Sequence, residues 1–140
     1  MQTSDLIALT GILLALQFAA FGWRIVREIE VADQGRRTWL PVPDLLNIIS
    51  MIAVVAFGLV LPLAHRTFER PSRVALATGF ILIAFHPLSM AGHYCLFSKH
   101  GRDTYKSSKG DWRYFPPPEI ASVMISMATA ILVGWYVSVS

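Results

Sequence analysis

Four stretches of this chain contain no Asp, Glu, Lys or Arg: residues 6–23, 45–64, 74–97 and 120–139. Each approaches or exceeds the roughly 20 apolar residues that a helix needs to cross a bilayer core. Hydrocarbon offers no hydrogen bonds, so a spanning segment must satisfy its own backbone, and runs of this kind are helices. The expected fold is therefore all-α: a polytopic membrane protein of four transmembrane helices in a small antiparallel bundle. The spans are expected at about residues 5–24, 44–64, 74–97 and 119–139, in one domain covering 1–140.

Composition agrees with this. Apolar residues make up 54% of the chain and charged residues 15%, against about 25% charged in a typical soluble domain. Four spans and three connections use up the length, leaving no room for a separate soluble domain. The net charge of +3 is read as a determinant of orientation, not as a sign of nucleic-acid binding. A single cysteine, Cys95, excludes an intrachain disulfide and a cysteine-cluster metal site. The first run lacks a preceding basic region and a small-x-small cleavage pattern, so it is read as a span and not as a signal peptide.

Within the first span Gln17 is the one strongly polar residue, and Gly11, Ala15 and Ala19 form a small face that another helix can approach. Helical pattern continues past Trp23. Ile25 and Ile29 share a face, Arg24 and Glu28 are an i,i+4 pair, and the helix should stop at Asp33-Gln34-Gly35. Trp23, Trp39, Trp112 and Tyr114 are expected interface anchors. In the second span Asp44 occupies the first turn, where a negative charge suits the helix dipole, and Asn47 and Ser50 follow on one face. The connection HRTFERPSR makes a tight hairpin into the third span. The last connection is long, polar and basic, and ends in Pro116-Pro117-Pro118 before Glu119.

The fourth span has the most regular pattern. Ser122, Ser126, Ala130, Gly134 and Ser138 recur every four residues, a ridge for close helix packing within the chain or between subunits. Connections one and three carry nine basic residues and connection two carries three. By the positive-inside rule both termini lie outside the cytoplasm, and the expected location is a bacterial cytoplasmic membrane. Gln17, Asn47, Ser50, His93, Ser122, Ser126 and Thr129 then all fall in the cytoplasmic half, and hydrocarbon requires them to face each other or water. His86 stands apart, near the midplane.

His86 and His93 are seven residues apart with Ser89 between them, so they share a helix face about 10 Å apart along the axis. Pro87 removes the hydrogen bond to the Ile83 carbonyl and should kink this helix. The histidines fit three roles: hydrogen bonding to a neighbouring helix, with Gln17 or Asn47 as partner; lining a polar pathway or pore; or ligating haem or a metal. No carboxylate lies inside a span to pair with either one, and no P-loop, GxGxxG, HExxH or nucleophile-elbow motif is present. The first expectation is thus a non-enzymatic, oligomeric, channel-like or membrane-perturbing subunit. The alternatives are an anchor or accessory subunit that docks a cytoplasmic partner at the basic loops, and a redox subunit holding haem or a quinone. No metal is expected, no other cofactor, and no nucleic-acid partner. The lipid bilayer, further copies or other membrane subunits are the expected partners.

Overall fold

The computed structural model describes residues 3–35, 40–97 and 116–140. Among them are four helices and no strand: α1 (Thr3–Asp33), α2 (Val42–His65), α3 (Arg70–His93) and α4 (Pro117–Val139). All four are long and apolar enough to cross a membrane. Trp39, Trp112 and Tyr114 lie outside the described residues; Trp23 is exposed on α1.

The helix ends follow local chemistry. The α1 helix stops at Gly35, which takes φ +69° and donates its N–H to the Ala32 carbonyl at 2.8 Å. Glycine accepts that left-handed conformation without a Cβ clash. The other three helices each have proline in the first turn, where the missing N–H would have had no partner anyway. Inside α2, Pro62 has no N–H to give the Gly58 carbonyl four residues back. There Val54–Val60 widens into a π-helix, and Thr10 Oγ1 of α1 approaches the Gly58 carbonyl at 3.3 Å. Pro87 lies within α3, which is helical from Arg70 to His93.

Burial is inverted relative to a soluble domain. Ile12, Phe18, Ile52, Leu63, Ile131, Leu132 and Trp135 face outward, while Thr10, Gln17, Arg24, Asp44, Asn47, His86, His93 and Glu119 are buried. Water would drive the first group inward; hydrocarbon reverses the preference. The pattern is compatible with an integral membrane protein.

Helix α3 touches each of the other three. Contacts between α1 and α2 run in antiparallel register: Arg24 meets Asp44, Gln17 meets Ser50, and Thr10 meets Gly58. Leu13, Val54 and Leu76 form the apolar core between the last two of these layers. Gly79 lets α3 close onto this core, since a Cβ there would lie 2.9 Å from both Leu13 and Val54 side chains.

The ridge on α4 is used inside the chain. Ser122, Ser126, Ala130 and Gly134 are buried, and Ser138 is half-buried. A Cβ at Gly134 would lie 2.8 Å from Thr78 of α3, and one at Gly92 would lie 2.7 Å from the Pro118 carbonyl oxygen. The small face of α1 does the opposite. Gly11, Ala15 and Ala19 are exposed, and nothing approaches Gly11.

A buried ionic cluster at one end of the helices

The C-terminal part of α1, the start of α2, the end of α3 and the start of α4 bring seven polar side chains together. Asp44 is at the centre. Its Oδ2 accepts from Arg24 Nε at 2.7 Å, and its Oδ1 lies 2.9 Å from His86 Nε2. Arg24 also donates to the Tyr94 hydroxyl, and through Nη2 to Glu28 Oε1 at 2.5 Å. Beside this set, His93 Nδ1 lies 2.7 Å from Glu119 Oε2, while Glu119 Oε1 accepts from the Val42 backbone N–H at 3.2 Å. Arg24, Asp44, His86, His93 and Glu119 are all buried; Glu28 keeps 29% of its side-chain surface exposed and marks the rim.

Two sequence expectations are corrected here. The absence of carboxylate partners for the histidines does not hold, because both imidazoles are bonded to carboxylates from other helices. Nor does His86 stand alone: it lies seven residues from the end of α3 and meets Asp44. The reason is common to both. Asp44 and Glu119 occupy first helical turns, where sequence reading assigns Asp44 to the helix dipole and takes Glu119 only as the residue that opens the fourth span. Packing of α2 and α4 against the end of α3 encloses those turns instead. A signal for this existed. Asp44, Asn47 and Ser50 are three apart, as are Glu119 and Ser122, so each acid continues a polar stripe by one turn. Arg24 likewise sits seven residues from Gln17 on the buried face of α1.

The other candidate residues divide into two groups. Gln17, Asn47 and Ser50 meet directly. Gln17 Nε2 donates to Ser50 Oγ at 2.9 Å, and Asn47 Nδ2 donates to the Gln17 backbone carbonyl at 3.1 Å. Ser122, Ser126 and Thr129 instead bond carbonyls of their own helix, at Glu119, Val123 and Ile125. Thr129 is only half-buried, and Ser89 is buried on α3.

Charge balance limits what the cluster can do. An unpaired ion in such an interior costs several kcal/mol. Arginine stays protonated, and Arg24 faces two carboxylates, the buried Asp44 and Glu28 at the rim. His93 and Glu119 set one basic against one acidic group at 2.7 Å. Among the described residues no three His, Cys, Asp or Glu side chains converge on a metal position. Toward the opposite end the polar interior meets Leu13, Val54 and Leu76, each no more than 5% exposed.

Among the described residues the geometry defines four helices of membrane-spanning length and a buried ionic cluster at one end. Compared with protein-family models, characterised proteins and solved structures, the chain matches none.

Proposed function

We propose that this is a non-enzymatic integral membrane protein whose interior carries a proton-exchanging site, formed by the His86–Asp44 and His93–Glu119 pairs and reached from one side of the bilayer. The observation that carries this reading is the pairing itself. Two imidazoles on one helix each meet a carboxylate from a different helix, at 2.9 and 2.7 Å. Ionisable groups within a membrane are costly and mark proton or ion sites by default. By the nine-to-three basic asymmetry, the cluster faces the cytoplasm. Pro87 follows His86 and withholds an N–H from the Ile83 carbonyl. The missing bond would make this the flexible point at which the two pairs separate. A channel-like role is less favoured within one chain, because Leu13, Val54 and Leu76 interpose an apolar layer between the Gln17–Ser50 and Thr10–Gly58 contacts. Haem ligation has less support as well, since His86 and His93 lie on one helix and the two axial ligands of a bis-histidine haem must face each other from different helices.

An infrared titration of the protein in liposomes tests the site. Protonation of a buried carboxylate adds a carboxylic C=O band, and Glu119→Gln should remove one such band while Glu69→Gln, at an exposed position, leaves it. A spectrum with no titrating buried carboxyl, or one unchanged by Glu119→Gln, would sink the proposal.

A second reading, an accessory subunit that docks a cytoplasmic partner, rests on α1. This helix runs 31 residues, about ten more than a span needs. Its end leaves Val26 and Ile29 exposed, and a cleft of about 500 Å³ there is lined by Trp23, Val26, Arg27, Glu30, Tyr94 and Leu96. Substituting Val26 and Ile29 with Ser should weaken co-purification of a partner without altering the infrared titration.

A further inference from the structure

The seam between α1 and α2 carries two buried polar atoms that the ionic cluster does not use. Gln17 is 0% exposed and Asn47 is 2% exposed. Each spends its amide nitrogen on a bond already described, and Gln17 Oε1 and Asn47 Oδ1 have no hydrogen-bond partner. Buried amide oxygens are seldom left in this state, because desolvation without a compensating bond is unfavourable.

Asn47 has only one workable orientation. Its amide faces the Gln17 backbone carbonyl, which can only accept, so the NH₂ must be on that side and Oδ1 must be the free atom. Gln17 is less restricted. Its partner Ser50 Oγ can donate or accept, so turning the amide over would free Nε2 instead of Oε1. A ligand for this seam must offer Asn47 Oδ1 a hydrogen-bond donor or a positive charge and must satisfy either end of Gln17. A sodium ion meets only the first orientation. Water meets both.

We infer that a water molecule is bound in the α1–α2 seam, donating to Asn47 Oδ1 and bonded to the free atom of the Gln17 amide. Its position lies between the Arg24–Asp44 layer and the Leu13–Val54–Leu76 core, so it continues the polar interior inward by one layer. This holds whether or not the imidazole–carboxylate pairs exchange protons.

Asn47 is the sole asparagine of the chain, so asparagine labelled with ¹⁵N in its side chain gives one side-chain signal. In liposomes, water-edited solid-state NMR should transfer magnetisation from water to Asn47 Nδ2 several-fold faster than to the buried apolar side chains of the same layer. Gln17→Met, of similar shape, should slow that transfer to the apolar level. Slow transfer in the unsubstituted protein would overturn the inference, and so would fast transfer that Gln17→Met leaves unchanged. A shift of the Asn47 signal when sodium replaces potassium in the buffer would assign the seam to a cation and also overturn it.

Discussion

Arg24 reaches four groups from one guanidinium-bearing side chain: the Asp44 carboxylate, the Tyr94 hydroxyl, the Glu28 carboxylate and, through Asp44, the His86 imidazole. Its planar fork suits this, and lysine could not make the same set of bonds. Arg24→Met should therefore destabilise the protein by about 3–5 kcal/mol, because it leaves the buried Asp44 charge without its cation. Adding Asp44→Asn should recover much of that loss, since the amide keeps a bond to His86 and the carboxylate still deprived of Arg24, Glu28, is at the partly exposed rim. Denaturant titration in detergent measures both. Equal destabilisation in the single and double variants would mean that packing around Arg24, and not its charge, holds this end together.

At the scale of elements, glycine positions determine how closely the helices meet. Gly92→Ala places a Cβ against the Pro118 backbone oxygen, and Gly134→Leu fills the space taken by Thr78. Each should cost about 1–3 kcal/mol through strain at the α3–α4 contact. Ile131→Leu, on the exposed side of α4, should be tolerated. Gly11→Ala meets nothing within 4 Å and should raise stability by up to about 1 kcal/mol through helix propensity. Thermal unfolding of the four variants checks the order. If Gly134→Leu behaves like Ile131→Leu, the ridge does not hold α4 on α3.

For the whole molecule, orientation and sealing can be tested together. With Cys95 replaced, a cysteine at Gln34 should be protected from an impermeant thiol reagent in intact cells, and one at Ser140 should be labelled. The reverse pattern would put the ionic cluster on the outer side. The apolar layer predicts proton tightness. Leu13→Ser places a hydroxyl beside Val54 and Leu76 and should increase the proton leak of liposomes several-fold over the unsubstituted protein. An equal leak in both would show that this layer is not the seal.

The sequence alone determined the helical class, the four apolar segments and the end of α1, because hydrocarbon length, backbone self-bonding and a capping glycine are local requirements. It also identified the stripes that turn inward: Gln17 on α1, Asn47 and Ser50 on α2, and the small residues of α4. It did not determine what those stripes would meet. Asp44 and Glu119 look like rim residues when each helix is read alone, since an acid in a first turn is already explained by the dipole. Only the tertiary structure decided that the end of α3 covers those turns and joins them to His86 and His93. The same holds for the α4 ridge, whose spacing serves a neighbour in the chain as well as one in another subunit. Partner choice is a long-range property: it depends on how antiparallel helices are offset against each other, and periodicity within one helix carries no record of that offset.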